Sequence, residues 1–190
     1  HTTLLRFDLS ALPRDAVVTS ATLRFNVVVL GGSYGIYEAL RPWDEATATW
    51  LELSAGTPWG SGGASAIADR GSTSLGTLAA PALGSLDVPL NAAGVAVVAS
   101  WVSGSRTNAG FAIANSATLD GVDLSSSESA TPANRPALIL GYTQATTTPT
   151  SLTWGGQTWA IKSSSGLVGP GPNVFSGWNA WTDGSGYLHL

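Results

Sequence analysis

The sequence contains no cysteine and no methionine among its 190 residues, and lysine occurs once, at Lys162. Without cysteine, no disulfide can staple the fold. The 8 basic residues are outnumbered by 12 acidic ones, which gives a formal net charge of −4. Because nucleic acids are bound through clustered lysine and arginine, this balance argues against a nucleic-acid partner.

Charged side chains of both signs are scarce, at 11% of the residues, so hydroxyl and small side chains must cover most of the surface. Such a surface is typical of an extracellular β-protein, and we expect an extracellular or cell-surface location.

Long apolar runs are also missing. The longest, such as residues 27–30 and 95–99, fall far short of the ~20 residues that span a bilayer, so we expect no membrane span.

The residues needed for common catalytic sites are not arranged for catalysis. The two histidines, His1 and His189, lie at the ends of the chain, whereas a Ser-His-Asp triad needs a positioned internal histidine. Asp44 and Glu45 are adjacent, so on an extended segment they point to opposite faces. A glycosidase needs two carboxyl groups that flank one bond. We therefore predict that the protein is not an enzyme.

Alternation of apolar and polar side chains predicts strands with one buried face. In residues 2–9, the side chains of Leu5, Phe7 and Leu9 share a face. Residues 19–30 alternate in the same way, with five apolar side chains on one face: Ala21, Leu23, Phe25, Val27 and Val29. Further strands are predicted at 34–40, 110–114 and 136–142. The expected fold is mainly β, an antiparallel, jelly-roll-like β-sandwich with one short helix.

The one predicted helix begins at Asn91, an N-cap residue, and ends before Gly104. Trp101 lies in this helix and is expected in the core, as is Trp50. Residues 55–82 are rich in glycine, serine, threonine and alanine and show little periodicity, so we predict a long surface excursion there.

A change of composition divides the chain. We predict a β-sandwich at 1–143, a Thr/Pro linker at 144–150 and a strand-rich tail at 151–190. The tail carries half of the eight tryptophans: Trp154, Trp159, Trp178 and Trp181. Because about forty residues of β-type sequence cannot form a stable sandwich alone, the tail must dock, as a partial second domain or as donated strands. A homo-oligomer or filament through this tail is one expected outcome.

Four spaced segments together resemble a DNRLRE domain, and the resemblance covers roughly residues 1–143. They are Leu4-Leu5-Arg6-Phe7-Asp8-Leu9, Ser20-Ala21-Thr22-Leu23-Arg24-Phe25, Trp43-Asp44-Glu45 with Thr49-Trp50, and Asn134-Arg135-Pro136-Ala137-Leu138. The resemblance implies a β-sandwich related to the carbohydrate-binding modules of bacterial surface proteins and alginate-active enzymes. Members of that family usually begin with one or two strands ahead of the first of these segments.

The tail carries a second resemblance. Residues 166–175, Asp183 and residues 186–190 are similar to the opening strands of the concanavalin-A-like jelly rolls of glycoside hydrolase family 16. The carboxylate motif of those hydrolases, Glu-x-Asp-x-x-Glu, does not occur in the sequence. This resemblance therefore implies a shape and not a chemistry.

Tryptophan is the best candidate for ligand contact, because its flat face packs against the C–H face of a sugar ring. Trp43 and Trp59 flank the loop-rich region and are the better candidates for exposure, with Arg41 and Glu45 beside them; core packing of both tryptophans is equally compatible with the sequence. An alternative for Glu45 is a structural ion pair with Arg41. Asp8 is expected to pair with Arg6 and Arg24.

A metal site is weakly indicated. Asp120 and Asp123 can offer oxygen ligands to Ca²⁺, although a solvated turn explains the same residues. The main functional hypothesis is a non-catalytic module for polysaccharide binding or surface adhesion. A structural subunit of a strand-exchanged extracellular fibre and a fragment of a glycoside hydrolase are the alternatives.

Overall fold

The computed structural model describes residues 2–114 and 120–144, together with the tail strands. The chain forms two compact units, His1–Ala145 and Thr146–Leu190. The fold class is confirmed: the described residues are mainly β, with antiparallel sheets and one α-helix. Residues 145–150 of the predicted linker lie outside the described residues, and Gln144 belongs to a strand.

Within its described residues, the first unit contains ten strands, β1 to β10, one α-helix, α1, and a short 3-10 turn. In chain order they are β1 (Thr2–Leu5), β2 (Ala16–Val29), β3 (Tyr34–Glu38), β4 (Glu52–Ser54), β5 (Thr57–Pro58), β6 (Gly76–Leu78), β7 (Gly84–Pro89), α1 (Ala92–Val102), β8 (Phe111–Ala114), β9 (Asp123–Leu124), the 3-10 turn (Pro132–Asn134) and β10 (Ala137–Gln144). These bounds hold for the described part of the unit.

Two antiparallel four-stranded sheets build this unit. The first sheet has the order β1-β8-β3-β6, and the second has the order β10-β2-β7, with β9 also paired to β2. Val27 pairs with Gly84 of β7 and with Leu124 of β9, so β7 and β9 lie on opposite edges of β2. Both sheets contribute to one hydrophobic core, which includes Phe25 of β2 and Phe111 of β8.

The alternation predicted for β2 is confirmed for most of its length. A β-bulge explains why the buried positions change from even-numbered to odd-numbered residues along the strand. Ala21, Leu23, Phe25 and Val27 are buried, whereas Val29 is exposed at the end of the strand. Earlier in β2 the buried positions are even-numbered, Ala16 and Val18. Gly141 pairs with Ser20 and Tyr142 with Val18, so Thr19 is an extra residue in β2. One inserted residue moves all following side chains to the other face.

The helix begins as predicted. The Asn91 side chain accepts a hydrogen bond from the Gly94 N–H at 3.0 Å, and Gly104 follows the helix with φ +74°. Helix α1 packs against β2 and places Trp101 in the core. The Trp101 ring packs edge-on against the Phe111 ring, with 4.9 Å between the ring centroids. Trp101 is thus a core residue, as predicted.

At 11 residues, α1 is too short to cross a bilayer, and the described part of the chain offers no other candidate helix.

The second unit contains two hairpins within its described residues. Strands β11 (Ser151–Trp154) and β12 (Gln157–Ala160) pair antiparallel, as do β13 (Trp181–Thr182) and β14 (Leu188–His189). A strand-rich tail was predicted here. Residues 166–175, which carry part of the resemblance to hydrolase jelly rolls, lie outside the described residues.

The predicted surface excursion is wrong in part, because residues 41–70 form a folded layer on the outer face of the first sheet and residues 76–78 form β6. Phe111 and Ile113 of β8 face the main core, so the alternating Ala112 and Ala114 face outward. Both alanines are nevertheless buried. A second hydrophobic cluster lies on this side: Trp43, Leu53, Trp59 and Ala64, with Leu4 and Ala48 packed against it. We call residues 41–70 the outer layer.

A buried carboxylate holds the outer layer in place. The Asp69 side chain is 0% exposed, and its Oδ1 accepts a 3.0 Å hydrogen bond from Arg41 Nη1. Its Oδ2 accepts from the Ser61 N–H at 3.2 Å. Burial alone would raise the pKa of Asp69, but hydrogen bonds from the Gly60 and Ser61 N–H groups and from Arg41 outweigh it and lower that pKa. This carboxylate therefore stays ionised and joins both ends of the layer.

The Trp101 indole N–H is buried, and it has no hydrogen-bond partner among the described residues. Trp43 is also buried, but its Nε1 donates to the Ala109 carbonyl at 2.9 Å. We expect Trp43→Phe to lower the free energy of unfolding by roughly 1–2 kcal/mol more than Trp101→Phe, since both lose the same volume but only Trp43 loses a hydrogen bond. Chemical denaturation of both variants measures the difference; equal losses would contradict the assignment.

Asp69→Asn should lower the free energy of unfolding at pH 7 by about 2 kcal/mol, because the neutral amide loses charge-assisted hydrogen bonds. The folded-state pKa of Asp69 is lowered, so its contribution is complete above the unfolded-state pKa and is lost as pH falls through the folded-state value. The gap between wild type and variant should therefore close below about pH 4.

Denaturant unfolding across the range from about pH 7 to pH 3 measures this gap. The matched control is Asp87→Asn, which removes an exposed partner of Arg24 and should change stability much less. A gap between wild type and Asp69→Asn that does not depend on pH would contradict the role of the ionised carboxylate.

Candidate functional site

Two adjoining grooves flank β1 on the side of the outer layer. The larger, with a volume of about 550 Å³, is lined by the chain from Leu4 to Leu9 and by Asn108 and Ser127. The smaller, about 370 Å³, is lined by Thr2, Thr49, Trp50 and Trp59. Leu4, Trp43 and Glu45 line both. We call the larger the Asp8 groove and the smaller the Trp50 groove.

Trp50 is the exposed aromatic residue of the smaller groove, at 55% exposure, which contradicts the prediction that it is a core residue. Its indole ring lies against the backbone of Gly62 and Gly63. A β-carbon at Gly63 would overlap the ring, and one at Gly62 would lie 2.6 Å from Nε1. The Gly63 N–H also donates to the Trp50 carbonyl at 2.7 Å. Trp50 is therefore fixed by its backing while much of its surface remains open.

Trp43 and Trp59 are both buried, at 9% and 6% exposure, so of the two alternatives that the sequence left open, exposure and core packing, the structure has core packing. Trp59 Nε1 donates to the Thr49 carbonyl at 3.0 Å. The rings pack together with Leu53 and Ala64 in the second hydrophobic cluster, and Leu4 of β1 packs against it. Both tryptophans line the Trp50 groove as walls, and the exposed aromatic surface comes from Trp50.

Arg41 and Glu45 do not pair with each other. Arg41 bonds Asp69 and donates to the Pro58 carbonyl at 3.1 Å, so it serves the outer layer and lines neither groove. Glu45 lies where the grooves meet, and its Oε1 accepts a long 3.5 Å hydrogen bond from Ser127 Oγ. Of the four predicted ligand-binding residues, the structure thus brings Trp43, Trp59 and Glu45 together at the grooves.

The expected pairing of Asp8 with Arg6 and Arg24 is wrong as well. Arg24 forms a bidentate ion pair with Asp87 at 2.6 and 2.7 Å. Arg6 places its guanidinium 5.2 Å from the centre of the Trp43 ring and donates Nη1 to the Trp43 carbonyl at 3.2 Å. Asp8 lies in the larger groove, where hydrogen bonds from the Ser10 backbone and hydroxyl lower the pKa of its carboxyl.

The Asp8 groove contains two carboxylates, those of Asp8 and Glu45. Glycoside hydrolysis needs one carboxyl group to hold a proton near neutral pH, which requires a raised pKa. The pKa of Asp8 is shifted the other way, so Asp8 is unsuited to act as the acid. What the grooves offer is a fixed aromatic surface with hydrogen-bonding groups around it, which suits binding of a polar ligand with apolar faces.

The calcium hypothesis gains no support from the described residues, in which no three His, Cys, Asp or Glu side chains form a group that could hold a metal ion. The Asp120 carbonyl accepts from the Gly32 N–H at 3.1 Å and from the Tyr34 hydroxyl at 2.7 Å. Asp123 belongs to β9 and pairs with Val29. Asp123 is therefore part of a β-strand, and the backbone of Asp120 accepts hydrogen bonds just before that strand. Calcium binding stays a prediction.

The sequence matches no protein-family model and, at a significant level, no curated protein. The resemblance to DNRLRE domains and the resemblance of the tail to hydrolase jelly rolls therefore stay predictions. The functional argument rests on the geometry of the grooves.

Gly62 and Gly63, together with Trp50, are the parts of the site that sequence reasoning missed. One signal was present: the segment Gly60-Ser61-Gly62-Gly63 is an unusual density of glycine directly after Trp59. Glycine allows another group to approach the backbone closely. The sequence does not show which tryptophan lies against these glycines. In the structure it is Trp50, because the outer layer brings the two segments together and the Gly63 N–H donates to the Trp50 carbonyl.

Gly63→Ala should lower the free energy of unfolding by about 1–3 kcal/mol more than Gly56→Ala. Both glycines have similar positive φ, +69° and +72°, so both alanines carry the same backbone strain. A β-carbon at Gly63 would overlap the Trp50 ring, whereas one at Gly56 has nothing within 4 Å. Thermal or denaturant unfolding of the pair measures the difference, and equal losses would show that Gly63 does not back the ring.

Proposed function

We propose that the unit His1–Ala145 is a non-catalytic binding module whose ligand is a polysaccharide, held in the Trp50 groove. The observation that carries this proposal is the Trp50 indole, exposed to 55% and backed by Gly62 and Gly63. Isolated apolar side chains on a surface are ordinary, but a large aromatic ring fixed against glycine in a groove is a preformed stacking surface.

The surroundings of Trp50 supply the polar contacts that a sugar requires. Thr2 and Thr49 line the same groove, and the Glu45 carboxylate lies at its junction with the Asp8 groove. Sugar hydroxyls donate to and accept from such groups, while the C–H face of the ring stacks on the indole. The two grooves share the lining residues Leu4, Trp43 and Glu45, and their volumes of about 550 and 370 Å³ have room for more than one sugar unit, which favours a chain over a monosaccharide.

An extracellular setting and a role in surface adhesion belong to this proposal. The sequence has 11% charged residues and no cysteine, so its surface is covered mainly by hydroxyl and small side chains. A role as a fibre subunit and a role as a hydrolase fragment stay predictions.

Trp50→Ala should weaken polysaccharide binding at least tenfold, which corresponds to about 1.4 kcal/mol, because exposed tryptophans in binding sites commonly carry a large share of the affinity. Affinity electrophoresis against a panel of neutral and charged polysaccharides measures the loss. The matched control is Tyr142→Ala, which removes an aromatic side chain of similar exposure, 45%, from β10 of the second sheet.

Tyr142→Ala should leave binding unchanged, and both variants should unfold at nearly the wild-type temperature, since neither side chain is buried. If the wild-type protein is not retarded by any polysaccharide of the panel, or if the two variants lose binding equally, the proposed function is wrong.

A further inference from the structure

The charges along the two grooves carry information about the ligand. The charged side chains that line them are Arg6, Asp8 and Glu45, one cation and two anions. Because a groove with low-dielectric walls concentrates the field of its charges, a net negative lining attracts cationic ligands and repels anionic ones. This charge pattern therefore bears on which polysaccharide can bind.

The single cation is exposed but held by the protein. Arg6 lies over the Trp43 ring and donates Nη1 to the Trp43 carbonyl. Turning the guanidinium away from Trp43 would cost both contacts. One guanidinium also cannot pair with every carboxylate of a polyuronate, whose every sugar carries a negative charge, so the two carboxylates of the lining still oppose such a chain.

The two carboxylates are exposed as well. Glu45 is exposed and lines both grooves, and Ser127 Oγ donates to its Oε1 over a long 3.5 Å. Asp8 is exposed in the larger groove, and its Oδ1 accepts from the Ser10 N–H at 2.9 Å. A chain that passes from one groove to the other must cross Glu45.

We propose that the polysaccharide bound in these grooves carries protonated amino groups, so that the site selects an amino-sugar polymer and rejects polyuronates. An ammonium group on a sugar stacked at Trp50 gains from the π face of the indole and from the nearby Glu45 carboxylate. The next sugars meet Asp8 in the larger groove. A uronate in the same place puts its carboxylate against two like charges. This inference rests on the proposed function and names its substrate class.

The test uses β-1,4-linked hexamers of glucosamine, glucose and mannuronate, titrated calorimetrically into the full chain at about pH 5.5, where the sugar amines are protonated and the mannuronate carboxylates ionised. We expect the glucosamine hexamer to bind at least tenfold more tightly than the mannuronate hexamer, with the glucose hexamer between them. Glu45→Gln should weaken glucosamine binding severalfold and strengthen mannuronate binding.

The matched control is Asp87→Asn, which makes the same change in net charge outside the grooves and should alter neither affinity. Asp8→Asn is a second variant that should shift selectivity in the same direction as Glu45→Gln, should the latter fail to fold. Equal or tighter binding of mannuronate, lost in Trp50→Ala, overturns the amino-sugar inference and leaves polysaccharide binding standing. Absence of binding by all three hexamers and by the polysaccharide panel overturns both.

Discussion

The buried Asp69 carboxylate is the contact on which the arrangement of the site depends. It joins Arg41, at the start of the outer layer, to Gly60 and Ser61, which precede the glycines behind Trp50. Within the layer, burial of Trp59 and hydrogen bonding of Gly63 to Trp50 place the exposed indole at the groove. A side chain without an acceptor oxygen at this position would leave the Gly60 and Ser61 N–H groups and the Arg41 guanidinium without this partner, and the layer would lose the contact that joins its parts.

Much of the fold follows from patterns that the sequence displays directly. The alternation from Ala21 to Val27 predicts a half-buried strand, and Asn91 with Gly104 predicts a capped helix, because both are local rules of backbone and side-chain geometry. The sequence does not show that the buried positions of β2 change from even-numbered to odd-numbered residues at Thr19. A bulge depends on how β10 pairs with β2, which is a long-range fact that no local pattern contains.

The candidate site was predicted less well, and the tryptophans show why. Alternation identifies one buried face of a strand but not whether a further layer covers the other. Ala112 and Ala114 alternate with the core-facing Phe111 and Ile113 and are still buried, and Leu4, which pairs with Ala112, packs against the cluster that holds Trp43 and Trp59. Once those two rings occupy the available space, Trp50 is left outside. The sequence leaves exposure and core packing open for Trp43 and Trp59 and places Trp50 in the core, because no local pattern shows which of the three rings the outer layer covers.

The backbone beneath Trp50 suggests why so rigid an arrangement suits recognition. Gly63 and Ala64 both adopt positive φ, and for Ala64, at φ +53°, that conformation costs about 1 kcal/mol or more. Ala64 is also buried among the residues that line the groove, so the cost is borne by the folded layer and not by the ligand. A ring already fixed by glycine loses little side-chain entropy when a sugar stacks on it. Strain in the layer before binding thus reduces the free energy that must be spent during binding.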